Sequence, residues 1–457
     1  MANIVTTDAK PAVDTLLDGF RKPIYDLRSV DTKYEDIYPI SGTRNTTVLR
    51  YVIPRSKGNY VAEINKLVLA FDLKITNRNR TSTPPINIQS GPANNFMFTI
   101  FSSLRISYNT TTVLKLDQYP LYSYLRMQLN CDDNDFKTWA SNRCFYPEGS
   151  GEEFDEINTT GWTNRRNCFG GTINNPGQSD HGHFAYSPKA YFLIGTLDHQ
   201  LPCPAYLPCD VHIELTLNNP EYCFQSATDA HSDINFDFEK ARLFVRNTKL
   251  NEKLFLQIES RLKNEAICQF FTSTHINTFS IPSGCKKEDF DSVAIGHSPS
   301  RIICLFSETD RSLGKFDKNC FKFPRKFGPD SNAFLLQSVK CYLKAEEVDR
   351  LNCDDSLYSF RDHYFRLFQL LRQSDGKNAN SISFEDFWQN TLVFIFDLTA
   401  SMGSTDYPML PLVKDGHLRI SCEFTNPSSV AMTMTTLIDV PSAITIENSG
   451  KCTLSSI

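Results

Sequence analysis

The sequence predicts an all-β chain of two tandem jelly-roll β-sandwiches, a double jelly roll with a few short inserted helices, and three observations predict it. The first is composition: aromatic residues make up 12%, with 34 Phe and 18 Tyr, and together with many Thr, Ile and Val they are the stock of strand-built cores. The second is period-two alternation. Leu67, Leu69, Phe71, Leu73 and Ile75 alternate with other residues through KLVLAFDLKI, as do Ile213, Leu215 and Leu217 in HIELTL and Leu418, Ile420, Cys422 and Phe424 in HLRISCEF. Each run puts one face on a core. The third is an internal repeat.

The repeat consists of blocks recurring in the same order. YVIPRSKG at 51–58 is answered by FSIPSG at 279–284, SLRISY at 103–108 by SVKCYL at 338–343, LYSY at 121–124 by LYSF at 357–360, and HIELTLNNP at 212–220 by HLRISCEFTNP at 417–427. The shift falls from 236 to 205 between the last two pairs, so the first copy carries 31 extra residues. The Gly-, Asn-, Asp- and Pro-rich stretch 131–187 supplies them. A chain of 457 residues and 52.0 kDa also exceeds the size at which one core stops growing.

The expected organisation is an N-terminal arm over 1–35, a first jelly roll over 36–250 with its long loop at 131–187, a linker helix over 251–264, a second jelly roll over 265–450, and a tail over 451–457. Three helices are expected. One runs from Asp117, as N-cap, to Asn130, with Leu121, Leu125 and Leu129 on one stripe; one runs from Ser356 to Arg372, with Phe360, Tyr364, Leu367, Phe368 and Leu371; the third is the linker, with Leu254, Ile258 and Leu262.

Charge excludes some functions. With 47 basic and 52 acidic residues the formal charge is −5, without a charged tail for adsorption to a membrane or to DNA. The opening MANIVTTDAK has no apolar signal-peptide core, and no run reaches the roughly 18 apolar residues of a membrane span. A cytosolic, unsecreted product is therefore expected. The 14 cysteines form no CxxC pair and are read as free structural thiols. The sequons at Asn45, Asn79, Asn109 and Asn158 are read as chance matches.

Candidate chemistry is sparse. GHSPS at 296–300 suggests a nucleophile elbow, but Ser300 stands where the second glycine is needed, so a surface turn is expected. His181 and His183 lack further ligands at metal spacing. CDDND at 131–135 and CDDS at 353–356 lack the calcium-loop pattern and read as turns or helix caps. In GKFDKNCFKFPRKFG at 314–328, Lys315, Lys318, Lys322, Arg325 and Lys326 interleave with Phe316, Phe321, Phe323 and Phe327. That mixture suits nucleic acid, yet the favoured reading is an inter-strand connection whose phenylalanines pack inward under lysines, and next a contact with a neighbouring molecule. No residue is assigned a catalytic, cofactor-binding or metal-binding role, no cofactor is expected, and no GxxxxGK[ST] phosphate loop is present.

With these residues laid out, the chain resembles the major capsid proteins of Polinton (Maverick) elements and adintoviruses, of the double jelly-roll lineage, over about residues 37–450. The carriers are VIPRSKGNYVAEINKLVLAFDLKITN at 52–77, FSSLRISYNTTTVL and YPLYSYLRMQLN at 101–130, ARLFVRNTKLNEKLFLQIESRLKNEA at 241–266 followed by INTFSIPSG, and LVKDGHLRISCEFTNPSSVAMTMTTLIDVPSAITIE at 412–447. Asn109-Thr110 stands where members often read Asn-Gly.

The resemblance implies a structural protein and not an enzyme: a homotrimer whose six lobes outline a pseudo-hexagonal capsomer tiling an icosahedral shell around double-stranded DNA. It further implies outward towers from the long loops, chiefly 131–187, and an arm reaching neighbouring capsomers or an inner layer. Implied partners are other copies, neighbouring capsomers and a penton or minor capsid protein, without specific nucleic-acid binding; an inner membrane stays open. The rival classes are a non-viral tandem β-sandwich binding module and an enzyme on a β-sandwich scaffold.

Overall fold

The computed structural model describes residues 29–43, 46–64, 67–77, 90–168, 190–194, 208–226, 234–294, 299–328, 333–344, 346–353, 357–370, 382–399 and 417–456. Within them the chain forms two lobes of the same winding. In the first lobe one sheet has the order β1 (Ser29–Ile37), β11 (Ile234–Leu250), β4 (Leu67–Asn77), β8 (Ala190–Ile194), with β3 (Tyr60–Ala62) also on β11. The facing sheet has the order β2 (Val48–Ile53), β9 (Val211–Leu217), β6 (Phe101–Tyr108), β7 (Thr111–Asp117). A small ribbon pairs β5 (Ser90–Pro92) with β10 (Phe224–Ser226).

The second lobe repeats this. One sheet runs β12 (Ile267–Ile281), β20 (Met432–Ile446), β14 (Arg301–Glu308), β18 (Val393–Asp397), with β21 (Cys452–Ser456) also on β20. The other runs β13 (Lys287–Ala294), β19 (Leu418–Phe424), β16 (Phe334–Leu343), and β16 carries both β17 (Glu346–Asn352) and the two-residue β15 (Lys326–Phe327). In each lobe the chain passes between sheets in the same sequence of eight principal strands, the jelly-roll winding. The fold class is the one predicted.

Alternation builds both cores. Leu67, Leu69, Phe71 and Leu73 are buried on β4, Val211, Ile213 and Leu215 on β9, and Leu418, Ile420, Cys422 and Phe424 on β19. Cys304, Cys341 and Cys422 lie deep in the second core, and burial raises all three thiols. The helices of six residues or more among the described residues are α1 (Tyr119–Asn130), α2 (Thr160–Cys168), α3 (Glu252–Leu262), α4 (Leu357–Leu370) and α5 (Phe384–Gln389). Helices α1 and α4 each follow the last strand of an equivalent hairpin, as the LYSY and LYSF blocks predict, and α3 joins the lobes.

Several expectations change. Ser29–Ile37 is no arm but the edge strand β1, pairing with β11 from Ser29↔Leu250 to Ile37↔Leu243; both its faces are largely solvent-exposed, so no apolar period marks it, and backbone pairing alone places it. The tail likewise supplies β21, on β20. Residues 1–28 lie outside the described set. Asp117 is the last residue of β7, and the α1 N-cap is Gln118, left-handed at φ 64 without a side-chain cap bond.

The YVIPRSKG and FSIPSG blocks are not equivalent, since Ile53 ends the second principal strand of its lobe whereas Ile281 ends the first. The ladders pair Leu104 with Leu215 and Val339 with Cys422, so a shift of 339 − 104 = 235 on one strand requires 422 − 215 = 207 on its neighbour. The sequence blocks differ from that by two residues, an even slip that leaves the same side chains facing inward.

Candidate functional site: the seam between the lobes

The densest polar chemistry lies where the lobes meet. Residues 131–168, expected as an outward tower, instead fold back in their described length as α2, a short helix at Asp133–Lys137 and a 3₁₀ turn at Trp139–Arg143. Trp162, Arg143, Arg165 and Phe145 are fully buried there. The reason is apolar content that a solvated loop would leave in water: Phe136, Ala140 and Phe145 join the second lobe's core beside Leu121, Tyr124, Leu125 and Leu129 of α1. Tyr124 of α1 stacks on Phe321 at 4.2 Å between ring centroids. The CDDND acids cap the short helix, with Asp132 accepting from the Asn134 and Asp135 amides.

Three ionic clusters follow the seam. In the first, Arg165 pairs with Glu148 at 2.7 Å, both side chains essentially without solvent contact. Arg165 also donates to the Pro92 and Tyr146 carbonyls, and Glu148 accepts from Thr159 and from the Trp162 amide. The pair ties the inserted segment to the ribbon of β5.

The second cluster crosses between the lobes. Asp155 accepts from both terminal nitrogens of Arg311, from Lys322 at 3.1 Å and from the Asn319 amide at 2.9 Å. Lys322 also pairs with Glu153, yet burial pulls its ammonium down to about 8. Gln225 and Asn319 both donate to the Phe154 carbonyl. Gly314, at φ +81, approaches so closely that a Cβ there would stand 2.8 Å from Tyr222 Cα.

This corrects the reading of 314–328. Phe321, Phe323 and Phe327 do pack inward, but Lys322 is buried and neutralised by first-lobe acids instead of covering the surface, Lys318 bonds Glu308, and Arg325 donates to the Cys353 carbonyl. The stretch is an internal clamp.

The third cluster lies under α1. Arg301 grips Asp439 with two nitrogens at 2.8 and 2.5 Å, Thr274 donates to the same carboxylate at 2.7 Å, and Arg126 of α1 interacts with it electrostatically. Burial pushes the Asp439 carboxyl up, but Arg301, Arg126 and Thr274 outweigh it and hold it below 3.8. Glu308 is likewise lowered, burial being outweighed by Lys318, Arg311 and the Gly328 amide.

Carboxyls with lowered folded values stabilise fully above their unfolded values and lose that contribution as pH falls through the folded ones. The thermal midpoint is therefore expected to hold from pH 7 to about 5 and to fall below about pH 4. Calorimetry across a pH series checks this; a midpoint unchanged down to about pH 3 contradicts it.

Ser300 is not a surface turn residue: it is buried, and its amide and hydroxyl both donate to the Asp439 carbonyl. Residues 295–298, His181, His183 and 354–356 lie outside the described set. Among the described residues no group of three or more His, Cys, Asp or Glu is placed to hold a metal ion, and no helix is long and apolar enough to cross a membrane. Glu148, Arg165, Asp155 and Asp439 carried no sequence signal beyond the acidic run EEFDEI at 152–157.

No family model matches the chain, and no curated protein matches it in sequence. Its fold is nevertheless similar to solved structures along nearly the whole length. One is a chain of the Sputnik virophage structure, with a TM-score of 0.62 and 10% identity, covering 100% of this chain and 93% of that one. Another is VP54 of the virus PBCV-1, fitted into a reconstruction of Sputnik, with 0.56, 10%, 95% and 99%. The Faustovirus major capsid protein gives 0.55, 8%, 95% and 94%.

Proposed function

We propose that the chain is a major capsid protein: a structural protein, not an enzyme, whose homotrimer forms a pseudo-hexagonal capsomer that tiles an icosahedral virion shell around double-stranded DNA. The observation that carries this reading is the repetition of one winding in two lobes that are locked by a buried ionic seam. Two similar lobes held at a fixed angle make a building block in which three copies present six similar sides. The fold similarity to the Faustovirus major capsid protein supports the same reading. The sequence resemblance at 52–77, 101–130, 241–266 and 412–447 supports a Polinton (Maverick) or adintovirus type.

Neighbouring capsomers are the principal partners, with a penton or minor capsid protein at the vertices. The test is the solution mass of the purified protein by light scattering, with negative-stain images of the same fraction. Three times 52.0 kDa with a hexagonal outline is expected. A monomer that persists at high concentration, and is not driven to trimers by other shell components, overturns the proposal.

A further inference from the structure

We infer that the exposed face of α4 formed by Arg361, Asp362 and Phe365 docks on the outer face of the first-lobe sheet β1-β11-β4 of a second copy of this chain. The inference rests on the capsomer reading above and specifies which surfaces join the copies.

The argument starts from the seam inside one chain. On β14, Ile302, Cys304 and Phe306 fill the second sandwich, so Arg301, Ile303, Leu305 and Ser307 point away from it. Those four are buried nonetheless, because α1 and the segment after it cover that side. The contact is heterologous: the helix side of one lobe meets the outer sheet face of the other. A heterologous contact repeats with the same surfaces until it closes into a ring.

The repeat identifies the next pair of surfaces. The shift of 236 that relates LYSY to LYSF carries Leu125 to Arg361, Arg126 to Asp362 and Leu129 to Phe365. Leu125 and Leu129 are 1% and 2% exposed against the second lobe, whereas Arg361 and Asp362 are exposed and Phe365 shows 59%. The same helix face is covered in one lobe and bare in the other.

The surface to receive it is the outer face of the first-lobe sheet. There Arg242, Phe244 and Arg246 of β11 alternate with the inward Leu243 and Val245, and Tyr34 of β1 lies opposite Arg246 with 66% exposure. Asp36 holds Arg242 at 3.1 Å and Arg242 lies over the Phe244 ring.

Charges complement with their signs exchanged. Within the chain a helix arginine, Arg126, faces a sheet pair, Asp439 with Arg301, on its acidic member; between copies a helix aspartate, Asp362, faces the sheet pairs Arg242 with Asp36 and Arg246 with Glu63 on their basic members. Such a swap favours the ordered ring of alternating lobes over pairing of like lobes.

The test compares wild type with Asp362→Arg and Phe365→Ala by light scattering over a dilution series, with far-UV circular dichroism and thermal melting as a check on the fold. Both side chains are exposed, so melting of the dissociated variants is expected to match that of wild type diluted below its own dissociation midpoint. The trimer's dissociation midpoint is expected to rise by on the order of tenfold or more in each. Adding Arg246→Glu to Asp362→Arg is expected to return part of that loss. If wild type is trimeric and both variants dissociate at the wild-type concentration, the docking inference is overturned while the capsomer reading stands. A wild-type chain that never trimerises overturns both.

Discussion

Replacing Asp439 by alanine is expected to remove about 3–5 kcal/mol of stability, the usual cost of stripping one partner from a buried ion pair. Arg301 and Asp439 each keep about 5% side-chain exposure, so water cannot take over the lost carboxylate. Arg126 loses the same anion, and burial already depresses its guanidinium to about 10. Arg301, which water hardly reaches, and the partly buried Arg126 would then be left as two cations without their shared anion. Asp439→Asn keeps the volume and an acceptor for Thr274 but not the charge, and a loss intermediate between wild type and alanine is expected. Urea unfolding followed by circular dichroism measures both, and an alanine variant within about 1 kcal/mol of wild type sinks the assignment.

The second large effect is expected at Glu148→Ala, again about 3–5 kcal/mol. Its carboxylate serves Arg165, Thr159 and the Trp162 amide at once, and Arg165 has no solvent exposure through which to relax. The inserted segment is expected to loosen from the β5 ribbon, shifting Trp162 emission to the red. Removing both charges with Glu148→Ala and Arg165→Met restores much of the stability, because the dominant cost is the orphaned charge and not the missing contact. A double variant as unstable as the single one would mean that packing of the segment, and not charge pairing, holds it.

Both effects fall on residues that sequence reasoning left unmarked. Glu148 sits in YPEGS and Asp439 in LIDVP, single acids without spacing or company. What makes them consequential is desolvation, a property of where the chain places them. The basic and aromatic run at 314–328 shows the converse: it was conspicuous in sequence, yet its buried Lys322 meets the first-lobe acids Glu153 and Asp155, more than 150 residues away, while Lys318 meets Glu308 nearby. A charge pattern states what a segment can pair with and leaves open whether the partner is internal or external.

The limits of local signal show in the strands as well. β4, β9 and β19 were legible because one face is buried and the other wet, which forces alternation. β14 and β20 are buried on both faces, so RIICLFSE and MTMTTLIDVPSAITI show no alternation to read. β1 is the opposite case, an edge strand exposed on both sides, where backbone pairing alone supplies the order.

Fold class, duplication and the three helices were legible in the residue order, because side-chain period and turn chemistry are local and the repeated blocks can be matched without knowing which surfaces meet. Tertiary structure alone decided that residues 131–168 turn inward, that Lys322 and Arg311 clamp Asp155, and that α1 is covered where α4 is bare. Those outcomes depend on which surfaces two lobes bring together, and the cost of burying a charge takes effect only once a partner from elsewhere in the chain has excluded water from it.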